Sequence, residues 1–288
     1  MTSSSSSSEP EARKVRSLLQ AIYERYGTDF RDYAYESISR RIASAMRAER
    51  LTDIADFERR LVSDTDAMER FLQSVTVHVT SMFRDPDFYL ALRSRVVPLL
   101  KTHPFIRIWH AGCSTGEEVY SMAILLQEEG LYSRCRIYAT DVSAHVVAGA
   151  KAGIFPSARA DEYEANYREA GGRRSVSDYH TTRYDHLIFR ASLKRNLVFS
   201  QHNLVSDGAF NEFQVILCRN VMIYFNSALS ARVHELLYRS LAPSGFLGLG
   251  SRETIRFTPH EMCYESIEPI LHLYRKTSQA APATGSTS

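Results

Sequence analysis

Two short apolar runs, FIRIW (105–109) and RIYAT (136–140), flank the turn HAGCSTGEE and a helical segment over 119–128. This strand, turn, helix, strand alternation constrains the chain more than any other feature. Strands joined through a helix must run parallel, and a parallel sheet needs helices covering both faces. Asp141 closes the second strand, and Ser143 is placed to cap a helix running towards Gly153. Ahead of the first strand, Asp85-Pro86 reads as an N-cap followed by proline at the first helical position. The alternation resumes with strand FQVILC (213–218), a helix over 227–241, strand GFLGLG (245–250) and a strand pair within 262–274. The expected fold class is α/β, with a doubly wound, Rossmann-like parallel sheet.

The remaining segments are of other kinds. Val15, Leu18, Leu19, Ile22 and Tyr23 form the stripe of an amphipathic helix that Gly27 would end. Periodic segments over 33–50 and 53–62 follow, so 11–73 reads as an all-α N-terminal domain. A linker is expected over 74–86 and the α/β domain over 87–276. The rhythm breaks at about 156–200, where Gly171-Gly172-Arg173-Arg174 is a loop. There LIF (187–189) and LVF (197–199) suggest an inserted antiparallel hairpin. The Ser-rich start (1–10) and the end (277–288) read as disordered tails.

Several function classes are excluded early. With 35 Lys+Arg against 33 Asp+Glu the net charge is +2, so nothing global points to nucleic acid. No apolar run approaches the roughly 18 residues a membrane span needs, and the N-terminus lacks a signal-peptide core. Cys113, Cys135, Cys218 and Cys263 are too scattered for a zinc site or a disulfide framework, and the histidines lack metal-ligand spacing. A reduced, cytoplasmic, metal-free protein is expected.

In a doubly wound sheet the ligand lies beyond the carboxyl ends of the strands. Here the first strand ends in a turn where Gly112 and Gly116 allow close approach, and Ser114 or Thr115 can cap the next helix. The turn is not G-x-G-x-x-G. Glu117 and Glu118 occupy the first helical turn, where a dinucleotide would place its pyrophosphate. They repel phosphate and suit a cationic, hydroxyl-rich ligand such as S-adenosylmethionine; plain compensation of the helix dipole is the other reading. Asp141 stands where such folds bind a ribose, or it is simply a helix N-cap. A nicotinamide-dependent oxidoreductase is the weakest rival, because it lacks the glycine fingerprint.

The motifs VTSMFRD (79–85), STGEEVYS (114–121), ATD (139–141), QHNL (201–204) and CRNVMIYF (218–225) occur in order along the chain. Over 11–275 the sequence resembles the CheR-type chemotaxis receptor methyltransferases, which methylate receptor glutamates with S-adenosylmethionine and release S-adenosylhomocysteine. The resemblance implies an all-α domain before a methyltransferase domain carrying an inserted β-subdomain. It implies cofactor contacts at Thr80, Arg84, Glu118, Asp141, Asn203, the backbone of Leu204, Cys218 and Arg219. His78 stands where many members have Asn and can still make one hydrogen bond. The implied catalytic pair is Arg84 and Tyr224. Without the motifs, Arg84 would read as a surface cation, Tyr224 as a buried aromatic and Cys218 as packing.

The chemistry suits those types. A glutamate side chain, with an ordinary pKa of about 4.3, is already ionised at neutral pH, so no general base is needed. Arginine and tyrosine can orient a carboxylate by hydrogen bonds. In some family members the β-subdomain docks a receptor pentapeptide through a glycine-containing hairpin loop; residues 179–199 hold no glycine, which implies a pentapeptide-independent member. Arg40, Arg41, Arg47 and Arg50 crowd the second helix, three of them within an arc of about 80°. They form either a solvated face or a docking stripe for glutamate-rich receptor helices. Rival readings are a methyltransferase for another carboxylate and a cofactor-binding signalling adaptor. A monomer without membrane insertion is expected.

Overall fold

The computed structural model describes residues 8–75 and 80–277; His78 and the tail segments 1–7 and 278–288 lie outside the described residues. The chain forms two compact units. Of the described residues, one holds 8–75 together with Tyr224–Ser230, and the other holds 80–223 and 231–277.

The first unit is built on helices α1 (Ser8–Tyr26), α2 (Tyr35–Ala48), α3 (Ile54–Ser63) and α4 (Thr65–Val75). Val15, Leu18, Leu19 and Ile22 line the buried side of α1, and Gly27 ends it at φ 69°, its N–H on the Tyr23 carbonyl. α1 begins at Ser8, so Glu9 and Pro10 belong to its first turn rather than to a tail. Proline is tolerated there because first-turn N–H groups have no intrahelical acceptor. The Asp53 carboxylate caps α3 at the Ala55 N–H (2.6 Å), and Asp64 caps α4 at Asp66 and Ala67. Phe57 and Phe30 meet Phe71 edge-on, at 5.7 and 6.1 Å between ring centroids. Each is fully buried, a contribution of about 1.5–3 kcal/mol per ring.

The second unit opens with α5 (Pro86–Ala91), a π turn over Leu92–Val96, and α6 (Val97–Leu100). Pro98 has no N–H to offer Ser94, and the ladder widens so that the Val97 N–H meets the Leu92 carbonyl. Then follow β1 (Ile106–Ala111), α7 (Glu117–Glu128), β2 (Cys135–Asp141), α8 (Ala144–Ala152), β3 (Ile154–Pro156) and α9 (Ala160–Glu169). β4 (His180–Arg183), β5 (His186–Phe189), α10 (Ala191–Lys194), β6 (Leu197–Gln201) and β7 (Phe213–Cys218) come next. The last elements are α11 (Ser227–Ser240), whose first four residues are grouped with the first unit, β8 (Leu241–Leu249), β9 (Tyr264–Glu268) and β10 (Leu273–Lys276).

The main sheet has the order β6-β2-β1-β7-β8-β10-β9, parallel from β6 to β8 and antiparallel beyond. Strand order reverses between β1 and β7, which makes the gap above their carboxyl ends the binding crevice. LVF (197–199) does not belong to the insertion: it lies in β6, which pairs with β2 from Ile137↔Leu197 to Asp141↔Gln201. A short apolar run carries no mark of which sheet will accept it, and β2 had an edge to fill. The small antiparallel sheet is β3-β5-β4. Its β4–β5 hairpin closes through Tyr184-Asp185, with Tyr184 at φ 51°. Tyr120 of α7 packs its ring on Phe155 (5.5 Å) and Phe189 (5.0 Å), seating this small sheet on the main core.

Candidate functional site

The crevice is built from the loops after β1, β2, β6 and β7, with the segment 80–85 beside them. The β1 loop turns tightly. Gly112 and Cys113 both donate to the Thr140 carbonyl at 2.8 Å. A Cβ on Gly112 would fall 2.5 Å from Val221, so only glycine lets the β1 and β7 loops approach this closely. Ser114 does not cap α7; its N–H donates to Asp141 (3.0 Å) at φ 51°. The N-cap position is Gly116, at φ 98°, where no L side chain fits well.

The two glutamates opening α7 part company. Glu117 is buried and occupied, taking Thr115 Oγ1 (2.5 Å), Tyr163 Oη (3.4 Å) and Arg159 Nη1 (3.5 Å). It ties α7 to α9 and is not one of a pair facing a ligand. Glu118 is only partly buried and points to the β1–β7 gap. It accepts from His110 Nδ1 (2.9 Å) on β1 and from Arg219 Nη1 (2.9 Å) just beyond β7. Burial pushes its carboxyl up, but the His110 hydrogen bond and the Arg219 charge outweigh that and bring it down to about 2. The Arg219 side chain is 3 % exposed, lies 4.1 Å from the Phe88 ring centroid and bonds Asp85 through Nη2 (2.6 Å). Asp85 therefore does not cap α5 with its side chain; at φ 58° it turns outward to meet this guanidinium.

A depressed carboxyl links stability to acid. The Glu118 contribution is complete above its unfolded value of 4.5 and fades as pH falls towards about 2. By pH 3 about 2 kcal/mol of it should be gone. Urea melts should show the stability gap between the wild type and Glu118→Gln shrinking by that amount between pH 6 and pH 3. A constant gap would mean that His110 and Arg219 do not hold the anion.

Residues 80–84 are pinned one by one. The Thr80 carbonyl takes Arg159 (2.7 Å), Ser81 donates to Glu162 (2.6 Å), and Asn166 donates to the Met82 carbonyl (3.0 Å). The Phe83 N–H meets Ser121 Oγ (2.9 Å) at φ 50°. Arg84 is half-buried, and its carbonyl receives Arg219 Nη1 (3.5 Å). Two bulky or charged residues at positive φ within three positions are a strained conformation that this bonding over-determines.

The other candidates fall as follows. Asp141 is buried at the end of β2, its carboxylate accepting from Ser114 and Ser143 (3.2 Å). Asn203 closes its own turn after β6, Oδ1 on the Val205 N–H (2.9 Å), with Leu204 half-buried inside that turn. Cys218 ends β7 fully buried, and burial pushes its thiol well above the usual range, so it packs and does not attack. Thr80, Arg84, Glu118, Asp141, Asn203, Leu204, Cys218 and Arg219 thus all belong to the sheet unit. Tyr224 groups with the helical unit: its carbonyl takes the Ala34 N–H (2.9 Å), and Arg41 stacks 4.5 Å from its ring centroid.

That contact removes Arg41 from the expected basic stripe. Arg41 is buried, with Nη1 on the Ser74 carbonyl (3.2 Å). Arg50 also departs from the helix arithmetic: α2 ends at Ala48, and Arg50 sits at φ 57° in the following turn. Arg40 and Arg47 remain exposed on α2, seven residues apart and aligned within about 20°.

Sequence reasoning missed His110, Asp85 as an ion-pair partner, and Glu253. Glu253, buried in the loop after β8, accepts four backbone N–H groups: Gly250 and Met222 at 2.7 Å, Asn220 and Val221 at 2.8 Å. It shapes the loop that carries Arg219, and Asn220 stands there at φ 62°. No periodicity or motif spacing would have singled it out. Among the described residues no cluster of His, Cys, Asp and Glu could hold a metal, and no helix is long and apolar enough to cross a membrane.

The donor set fits a nucleoside sulfonium. Glu118 faces the gap from the first turn of α7, Asp141 ends β2, and the Asn203 amide follows β6. Fold and crevice define an S-adenosylmethionine-dependent methyltransferase. Residues 78–268 match the CheR methyltransferase, SAM binding domain, and residues 14–76 match the CheR methyltransferase, all-alpha domain. The chain belongs to the CheR methyltransferase family and is an S-adenosylmethionine-dependent methyltransferase of chemotaxis. It is 46% identical to Cher3 of Pseudomonas putida, named as a methyltransferase, over 92% of this chain and 97% of that one. It is 27% identical to chemotaxis protein methyltransferase 2 of Pseudomonas aeruginosa, over 84% of this chain and 86% of that one. The chemotaxis protein methyltransferase of Listeria monocytogenes is also 27% identical, over 80% and 85%.

Proposed function

We propose that the protein methylates glutamate side chains on the cytoplasmic helices of a chemoreceptor, acting from the cytoplasm. The observation that carries this reading is the anionic Glu118, locked between His110 and Arg219 at the switch point. It would hold a cationic cofactor group, with Asp141 on the ribose and Thr80, Asn203, Leu204 and the backbone at Cys218 completing the cradle. When bound, S-adenosylmethionine supplies an electrophilic methyl group on sulfonium sulfur. The acceptor carboxylate is already an anion, so the chain's task is to orient it and exclude water. Arg84 and Tyr224 are assigned to that task, as hydrogen-bond donors that aim one carboxylate oxygen and leave its lone pair free. A C–O bond forms, a C–S bond breaks, and no proton moves.

Two further features bear on the partner. The β4–β5 hairpin turns in two residues, Tyr184-Asp185, without glycine or an enlarged loop, which supports a member that needs no receptor pentapeptide. Arg40 and Arg47 offer an exposed basic strip on α2 suited to a glutamate-rich helix.

The test is transfer of radiolabelled methyl to membranes carrying the chemoreceptors of the same cell. Base-labile label on receptor bands is expected, reduced about a hundredfold or more in Arg84→Ala and Tyr224→Phe through lost orientation. Calorimetric cofactor binding with no label on any receptor would overturn the reading in favour of an adaptor or another substrate.

A further inference from the structure

Phe257 is 97% exposed and sits at φ +64°. Both conditions are unfavourable: a large ring is left in water, and a residue with a bulky side chain is held in the left-handed region. Neither follows from looseness, because the loop is tightly bonded. The Phe257 N–H donates to the Glu261 carboxylate (2.8 Å), the Glu261 N–H to the Thr258 carbonyl (3.2 Å), and Thr258 Oγ1 to the Ile255 carbonyl (2.6 Å). Ile255 is buried beneath as the anchor. The turn thus over-determines an exposed aromatic tip.

The position of this tip is set by Glu253, four residues earlier. Its carboxylate binds the backbone of Asn220, Val221 and Met222, so the loop leaving β8 is locked to the loop leaving β7 that carries Arg219. Both loops leave the carboxyl ends of adjacent parallel strands, Cys218 beside Leu249. The loop starts at that end and descends along the sheet, because Tyr264 opens β9 opposite Lys276, three residues down β10 from Leu273, which pairs with Gly248; Phe257 stands on this course between the two. Around it the loop shows cations and soft apolar surface: Arg252 and Arg256 are exposed, and Met262 is 74% exposed. Two acids of the loop are turned onto backbone N–H groups, Glu253 onto those at 220–222 and 250 and Glu261 onto that of Phe257.

We propose that this loop is the acceptor-protein contact of the methyltransferase unit. Phe257 seats in the apolar seam of an acidic helical protein, while Arg252 and Arg256 meet carboxylates on its flanks. This rests on the functional reading that the substrate is such a protein. A lone aromatic anchor ringed by arginine is the composition of interface hot spots, and opposite charge sets orientation and encounter rate. A membrane surface fits less well, since two cations supply only about 2 kcal/mol towards anionic lipid.

Phe257→Gly and Phe257→Ser test the proposal, with methylation followed against receptor concentration. The expected result is an apparent KM for receptor raised about tenfold, with the cofactor Kd unchanged within about twofold. The Tm of Phe257→Gly should be equal or higher, since glycine relieves the positive φ. Arg252→Ala with Arg256→Ala should flatten the salt dependence of KM. An unchanged receptor KM overturns the proposal, as does a KM that rises only together with a weakened cofactor Kd and a lowered Tm. Wild-type protein that floats with receptor-free anionic vesicles, and Phe257→Ser that does not, would assign the loop to lipid instead. If wild-type protein labels no receptor, the functional reading falls and takes this proposal with it; label with an unshifted KM defeats the proposal alone.

Discussion

Arg219→Met should destabilise the sheet unit by about 3–5 kcal/mol, the cost of stripping one partner from a buried ion pair. The guanidinium is 3 % exposed and bridges Glu118 at 2.9 Å and Asp85 at 2.6 Å, with Phe88 beneath it. Methionine fills much of the space and keeps the contact with the ring, but leaves the partly buried Glu118 anion with His110 alone. Glu118 would then take up a proton more readily, and cofactor affinity should fall with stability. Arg219→Lys should rescue little, because a single ammonium lacks the planar fork that reaches two acids at once. Urea melts and cofactor calorimetry on both variants check this. A methionine variant with the wild-type urea midpoint would show that Asp85 and Glu118 do not depend on the charge between them.

Glu253→Ala should have an effect of similar size for a different reason. Four backbone N–H groups, those of Asn220, Val221, Met222 and Gly250, lose their acceptor together. A buried donor left unsatisfied costs about 1–3 kcal/mol, and water entering the gap can recover part of it, so a loss of at least about 3 kcal/mol is expected. Glu253→Gln keeps the shape but presents an amide NH2 to some of the donors, and should lose about half as much. Hydrogen exchange supplies the local readout: amides 220–222 should lose protection in Glu253→Ala before the β1 amides do. Protection unchanged at those three amides would rule out Glu253 as the organiser of the loop behind Arg219.

The strands of the parallel sheet were legible because they are apolar on both faces. FQVILC (213–218) coincides with β7, the run at 136–140 lies within a residue of β2 at each end, and that at 105–109 within two residues of β1. Ser143 caps α8 as its position implies, its hydroxyl accepting from Val146. Such features are decided within one turn of chain, where pattern and propensity act. The same local logic failed where a distant charge outbid it. Asp85 has the residue type and the proline of an N-cap, yet its carboxylate goes to Arg219, 134 positions away. Arg41 shares a helix with Arg40 and Arg47, yet it is drawn inward by the Tyr224 ring and the Ser74 carbonyl.

By itself the sequence determined the class of sheet, the helical domain ahead of it, the position of the crevice and, through its motifs, the family. Tertiary structure alone decided that β6 joins the main sheet and that Glu117 is structural while Glu118 faces the gap. It also decided that Glu253 holds the β7 loop and that Tyr224 groups with the helices. The division has one physical cause. Strands and caps follow from side-chain periodicity and bonds between near neighbours. The partners of a buried charge are set by which strand ends the sheet topology brings together, and no local pattern carries that information.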